Sequence, residues 1–159
     1  MEKKKKAQKK IMCACQAGGH LTEMLILTKS LGIEDKVVYI TDKGTADNFL
    51  KNAYFVKGTG KLRNLPFDIP KILYSIIKER PKIIISTGAE LGIVAIVFGK
   101  IFLRAKTIYI ECSAQVKKPS YSGRIVYPFA DIFFVQWEPL LKKYGKKAKY
   151  GGNLILGDV

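Results

Sequence analysis

The feature that most constrains this fold is the alternation of short apolar runs with stretches of helical period. The runs are rich in β-branched residues and nearly continuous, which is typical of strands that are covered on both faces. They fall at residues 10–16, 36–41, 53–56, 82–86, 106–111 and 132–135, with a short seventh candidate at 148–150. This order predicts an α/β fold in one Rossmann-like domain, a parallel sheet of six or seven strands with helices on both faces.

Three intervening segments carry a helical signal. Apolar residues recur at helical spacing over residues 21–31, and Gly32 follows where a left-handed cap is typical. Residues 66–80 begin with one proline and end before another, so both helix ends are marked. Residues 91–103 are nearly all apolar, which indicates a buried helix, and they are too few to cross a bilayer as a helix.

The length of 159 residues and the hydrophobic content of 48% indicate one folded domain with a real core. We assign residues 1–10 to a basic N-terminal arm and residues 11–159 to the domain. The arm is followed by too short an apolar stretch for an export signal. The three cysteines lack CxxC spacing and there is a single histidine. We therefore expect a reduced, cytosolic chain with no metal site and no cofactor.

The charge balance points to a polyanionic partner. Lys and Arg number 28 against 13 Asp and Glu, a net charge of +15. Nucleic acid, an anionic bilayer and a phosphorylated substrate all fit this charge. The basic residues concentrate at the two ends of the chain and no nucleic-acid recognition motif is present, so a nucleic-acid-binding domain is the weaker alternative.

Ligands of open parallel sheets bind beyond the carboxyl ends of the strands, which directs attention to three loops. The first loop contains Gly18, Gly19 and His20 and opens the first predicted helix. Its glycines and the helix N-terminus suit a phosphate or diphosphate, although the loop matches neither a Walker A nor a GxGxxG motif. His20 either faces this ligand or only hydrogen-bonds the loop.

The other two loops follow the fourth and fifth predicted strands. In the first of these, hydroxyls and a glycine can cap the next helix or hold an anion. In the second, Glu111 can orient a sugar hydroxyl or accept its proton, and an ion pair with a lysine is the alternative. The polar and glycine residues of the loop after the fourth strand are Ser86, Thr87, Gly88 and Glu90.

Four segments resemble the asparagine-linked glycosylation protein fourteen family, together with its bacterial relatives in capsule and exopolysaccharide synthesis. They are residues 15–21 (CQAGGHL), 85–90 (ISTGAE), 109–114 (YIECSA) and 122–137. The order of these loops is also similar to the N-terminal half of the peptidoglycan enzyme that adds N-acetylglucosamine to lipid I. That enzyme is a two-lobed GT-B glycosyltransferase, so the resemblance implies half of a GT-B fold.

The resemblance implies that the chain is the acceptor-binding, membrane-associated subunit of a two-component glycosyltransferase. A second polypeptide would supply the donor-binding lobe, so the chain alone would be inactive or weakly active. The sugar would pass from a UDP-sugar to a polyprenyl-diphosphate-linked saccharide at the cytoplasmic face of the cell membrane. A non-catalytic scaffold that recruits the donor-binding subunit is the alternative.

The same resemblance assigns the site residues. His20 and Glu111 are the catalytic candidates, and which of them is the base stays open. The expected contacts to the acceptor are Gly18, Gly19, Ser86, Thr87, Gly88, Glu90 and Ser113.

Residues 66–80 carry more apolar side chains than one core-facing stripe requires, with cationic residues among them. This pattern, together with the basic arm, predicts peripheral docking on an anionic membrane. The predicted docking residues are Lys3, Lys4, Lys5, Lys6, Phe67, Lys71 and Ile72.

Overall fold

A computed structural model describes residues 11–44, 49–57 and 65–157. The N-terminal arm lies outside these residues, and so do the four lysines predicted to dock on a membrane, Lys3, Lys4, Lys5 and Lys6.

The described residues form one sheet of parallel strands in the order β3-β2-β1-β4-β5-β6-β7. The chain runs outward from β1 to β3 and then crosses back to β4, so the topological switch point lies between β1 and β4. The predicted α/β fold is confirmed, including the short seventh strand. The strands are β1 Ile11–Ala14, β2 Val37–Asp42, β3 Ala53–Val56, β4 Ile83–Ser86, β5 Lys106–Ile110, β6 Ile132–Val135 and β7 Ala148–Tyr150.

Helices cover both faces of this sheet. The first helix packs on one face against β1, β2 and β4, and the other four share the core on the opposite face. A short 3₁₀ turn, Glu34–Lys36, precedes β2. The helices are α1 Gly19–Ser30, α2 Leu65–Glu79, α3 Ala89–Leu103, α4 Tyr121–Val126 and α5 Pro139–Tyr144.

The predicted left-handed cap of α1 is present at Gly32, which has φ +60°. The N–H groups of Gly32 and Ile33 donate to the carbonyls of Lys29 and Thr28, both at 3.0 Å. These are the two bonds of a Schellman motif, and they satisfy carbonyls at the helix end.

The prediction that Ile72 docks on a membrane is wrong. Ile72 is fully buried and packs with Ile76, one turn away, in the core under α2. Phe67 and Lys71 lie on the exposed side of the same helix, and the Phe67 side chain is 77% exposed. The excess of apolar residues in the sequence could not show which of them face the sheet. Within the described ranges, no helix is long and apolar enough to span a membrane.

Candidate functional site

A polar pocket of about 340 Å³ lies at the carboxyl edge of the sheet. Three loops meet there, those that follow β1, β4 and β5, and α4 closes one side. This is the edge beside the topological switch point, where α/β proteins bind their ligands. Its lining residues are Gln16, His20, Ala89, Glu90, Ile93, Cys112, Ala114, Gln115, Ser120, Tyr121 and Ser122.

The imidazole of His20 is held in one orientation by Thr87. His20 Nδ1 lies 2.8 Å from the carbonyl oxygen of Thr87, and the Thr87 hydroxyl donates back to the His20 carbonyl at 2.7 Å. A carbonyl oxygen only accepts, so the network assigns the proton of the neutral ring to Nδ1. Nε2 therefore carries the lone pair, which is the arrangement a general base needs.

The glycine loop after β4 is shaped around this imidazole. A Cβ atom at Gly88 would lie 2.7 Å from His20 Cε1 and 2.9 Å from Nδ1, so the ring occupies the space a side chain would take. Gly88 has φ +130°, and the next residue, Ala89, has φ +65°. Positive φ at a non-glycine residue is a strained conformation, and such residues concentrate at binding and catalytic sites.

Two predicted acceptor contacts, Ser86 and Thr87, are fully buried. The Ser86 hydroxyl accepts the N–H of Gly88 at 3.1 Å and would lie 2.0 Å from a Cβ at Gly92. These hydroxyls hold the loop, and glycine at position 92 lets α3 approach β4. Glu90, at the start of α3, lines the pocket, and its contact with an acceptor stays a prediction.

Glu111 does not line the pocket. Its side chain is fully buried, and its carboxylate accepts the N–H groups of Cys112 at 3.1 Å and Ser120 at 3.2 Å and the hydroxyl of Tyr144. Burial raises the pKa of Tyr144 well above its usual range, and the bond to Glu111 adds to this, so Tyr144 stays a donor. The geometry makes Glu111 an anchor for α4 and α5, where the sequence pattern indicated a residue facing the acceptor.

The loop after β5 is held in place by Glu23 of α1, a residue that the sequence analysis missed. Glu23 is 1% exposed, and its Oε1 accepts both the N–H and the hydroxyl of Ser113, at 3.0 and 2.6 Å. The carbonyl of Ser113 accepts the indole N–H of Trp137 at 2.6 Å. Ser113, predicted to contact the acceptor, therefore uses all its polar groups inside the protein.

The glycines of the first loop are exposed beside the pocket. Gly18 has φ +99°, and its carbonyl accepts the N–H of Thr22 at 2.9 Å in the first turn of α1. Asp42, at the end of β2, accepts the N–H of Ala17 and so fixes the entry to this loop. Exposed glycines give a ligand access to the backbone at a helix N-terminus.

Three possible metal ligands come together here, although no spacing in the sequence predicted a cluster. One ligand atom from each of His20, Glu23 and Cys112 lies within 4.8 Å of the others. Glu23 already accepts bonds from Ser113 and Gln136, and an ion would have to displace them. Burial raises the pKa of Cys112 to about 11, which favours the neutral thiol over a thiolate ligand.

The chain matches a protein-family model. The model described as "Oligosaccharide biosynthesis protein Alg14 like" matches residues 67–154, which is more than half of the chain.

Two fungal relatives match along most of their length. The UDP-N-acetylglucosamine transferase subunit ALG14 of Yarrowia lipolytica is 28% identical, over 95% of this chain and 83% of the relative. The subunit of the same name in Schizosaccharomyces pombe is 29% identical, over 94% and 85%. Both are fungal, and they give no support to a capsule or exopolysaccharide context.

Solved structures share the fold at low identity. MnaA of S. aureus with UDP superposes with a TM-score of 0.69 at 15% identity, over 92% of this chain and 45% of that one. MurG of Acinetobacter baumannii gives 0.62 at 15% identity, over 91% and 44%. The chain thus spans less than half the length of these solved chains.

Proposed function

Because the chain belongs to the Alg14-like family of oligosaccharide biosynthesis proteins, we propose that it is the acceptor-binding subunit of a two-component glycosyltransferase. It would help to move a sugar from a nucleoside diphosphate sugar to a polyprenyl-diphosphate-linked saccharide. The named relatives are transferase subunits. A separate polypeptide would therefore carry the donor site.

The observation that carries this proposal is the orientation of His20 in the pocket. With Nδ1–H bonded to Thr87, Nε2 is the atom available to an acceptor hydroxyl. His20 takes the hydroxyl proton while the hydroxyl oxygen bonds to the anomeric carbon of the donor. The bond from that carbon to the diphosphate oxygen breaks, and the nucleoside diphosphate leaves with the electron pair. The Thr87 carbonyl then stabilises the imidazolium.

Glu111 is the weaker candidate for the base, because its buried carboxylate is already bonded to Cys112, Ser120 and Tyr144. A base has to reach the proton that it removes. We assign Glu111 the task of holding Ser120, which lines the pocket, in place.

The donor to test first is UDP-N-acetylglucosamine, since the names of the fungal relatives specify that transferase activity. The acceptor would be a lipid-linked saccharide presented at the cytoplasmic face of a membrane.

Helix α2 supplies a face for peripheral membrane binding. Phe67, Tyr74 and Ile77 are 77%, 57% and 52% exposed, with the exposed Lys71 and Lys78 beside them. Helix α2 ends shortly before β4 begins, so its last turn lies near the amino edge of the sheet and its first turn lies nearer the carboxyl edge. Phe67 is in that first turn. Lysines near an anionic surface contribute about 1 kcal/mol each.

The direct test is reconstitution with a donor-binding subunit. We expect little turnover by the chain alone and turnover when the partner is added. His20→Ala should then lower kcat on the order of a hundredfold. Lys29→Ala, an exposed change on the same helix, is the control. Substantial turnover by the chain alone would refute the two-component proposal.

The same assay separates the rival assignments. If His20→Ala keeps full turnover with the partner present, the non-catalytic scaffold is the better description. If Glu111→Gln instead abolishes kcat while the fold and the acceptor KM are unchanged, Glu111 is the base.

A further inference from the structure

Glu23 is a buried carboxylate whose two oxygens have separate tasks. Oε1 accepts both donors of Ser113, on the loop after β5, and Oε2 accepts the side-chain N–H of Gln136, at the end of β6, at 3.1 Å. The residue thus joins α1 to two neighbouring strand ends from a position that is 1% exposed. Burying a charge in this way is costly unless its hydrogen bonds are made, so these bonds form one unit.

The orientation of Gln136 shows why position 23 needs a carboxylate. Gln136 Oε1 accepts the N–H of Leu154 at 2.8 Å, and Nε2 donates to the carbonyl of Glu111 at 2.9 Å as well as to Glu23. The amide cannot flip without losing these bonds. Both oxygens of Glu23 therefore face donors. A glutamine at position 23 has one acceptor and one donor, and would place N–H against N–H at one of the two positions.

The bonded loop is one wall of the polar pocket. Cys112, Ala114 and Gln115 line the pocket on either side of Ser113, while His20 lines it from α1. Glu23 lies three residues after His20, so one side chain sets the distance between the helix that bears the proposed base and the opposite wall. We propose that Glu23 is a positioning residue that fixes the acceptor pocket against His20. This inference rests on the proposed function for the identity of the ligand.

The chain contains a built-in reporter for this loop that requires no activity. Trp137 is its single tryptophan, and the indole N–H donates to the carbonyl of Ser113. We expect Glu23→Gln to shift Trp137 emission and increase its quenching by acrylamide, with unchanged far-UV circular dichroism. Glu34→Gln removes the same charge at an exposed position and should change neither signal. Unchanged Trp137 emission and quenching in Glu23→Gln would overturn the proposal.

The kinetic test separates positioning from plain loss of folded protein. With the partner, UDP-N-acetylglucosamine and a short-chain isoprenyl-diphosphate-linked N-acetylglucosamine, Glu23→Gln should raise the acceptor KM by about tenfold and leave the donor KM unchanged. A lower kcat with both KM values unchanged would mean only that less protein is active, and would overturn the proposal.

A milder variant keeps the test decisive if Glu23→Gln does not fold. Ser113→Ala removes the bond from the Ser113 hydroxyl to Glu23 and leaves the bond from the Ser113 N–H. It should therefore shift Trp137 emission and raise the acceptor KM in the same direction, by less. Wild-type values for both measurements would overturn the proposal. If the wild-type complex transfers no sugar, the proposed function fails, while the Trp137 measurement still decides whether Glu23 holds the loop.

Discussion

The substitution Gly88→Ala tests whether the placement of the His20 imidazole matters. A Cβ at this position would lie 2.7 Å from His20 Cε1, and Gly88 has φ +130° and ψ −165°, a region that side chains rarely adopt. The backbone strain costs about 1–3 kcal/mol. The ring must also move, which breaks the 2.8 Å bond from Nδ1 to Thr87, a further ~1 kcal/mol.

These contributions set the expected size of each effect. A loss of about 2–4 kcal/mol lowers Tm by roughly 5–15 °C in a chain of this size and leaves it folded. A displacement of the ring by about 1 Å is enough to lower turnover on the order of a hundredfold. Stability and turnover should therefore both fall.

The matched control is Gly32→Ala, at the far end of α1. Gly32 also has a positive φ, +60°, but nothing lies within 4 Å of a Cβ built there. This change should cost about 1–2 kcal/mol and leave turnover at the wild-type level. The chain has one histidine, so ¹⁵N NMR of its imidazole reads the tautomer of His20 directly. Wild-type turnover in folded Gly88→Ala protein would refute a role for the imidazole in the reaction.

Three further predictions follow from burial and charge. Phe67→Ser should weaken the salt-dependent binding to anionic vesicles and leave Tm unchanged. Ile72→Ser should instead lower the free energy of unfolding by about 3 kcal/mol or more. Equal vesicle binding by wild type and Phe67→Ser would contradict the docking face. Since burial raises the pKa of Cys112 to about 11, its alkylation should be slow at pH 8, faster near pH 10, and slowed by acceptor, as mass spectrometry can follow; rates that ignore the acceptor would argue against its place in the pocket. Burial alone would raise the pKa of Asp131, but hydrogen bonds, above all the one from Lys100, lower it from 3.8 to about 2. Ionised Asp131 therefore stabilises the folded state above about pH 4, and this stabilisation is lost as the pH falls towards about 2. Chemical denaturation should show that Asp131→Asn lowers the free energy of unfolding more at pH 6 than at pH 2, and an equal loss at both values would contradict the assignment.

The fold was predictable because its signals are local. Strands at Ala53–Val56, Ile132–Val135 and Ala148–Tyr150 have the predicted boundaries, and the proline-marked helix α2 begins and ends within one residue of its expected limits. Strand β1 ends at Ala14, two residues before the predicted end. The prediction followed the apolar run, which continues past the last residue of β1 that pairs with β2. A strand ends where its pairing with the neighbouring strand ends, and the apolar pattern does not show that point.

The site was predictable only as far as the loops that form it. Parallel topology brings the ends of β1, β4 and β5 to one edge, and the pocket lies there. Which side chains turn inward depends on contacts between residues far apart in sequence. Glu111 and Ser113 point to partners within the protein, and Glu23 sits on a helix where a glutamate normally faces water. No pattern within α1 distinguishes it from an exposed residue.

The charge of the pocket bears on how an acceptor diphosphate would be held. The chain carries a net charge of +15, yet the described residues that line the pocket include no lysine or arginine. Its ionisable side chains are His20, Glu90, Cys112 and Tyr121. The carboxylates of the two buried acids nearby, Glu23 and Glu111, are bonded internally, and Gln136 donates to the Glu23 carboxylate and to the backbone carbonyl of Glu111.

A diphosphate bound in this pocket would therefore rely on backbone N–H groups at the α1 N-terminus and on charges that a partner or the basic surface supplies. The lysines of α2 lie on an outer face beside exposed aromatic residues, where they suit anionic headgroups better than a single bound ligand. Under the proposed function the two regions would have separate roles: the pocket would provide His20 and oriented hydroxyls for the sugar, while the cationic surface would bring the chain to the membrane that holds the acceptor.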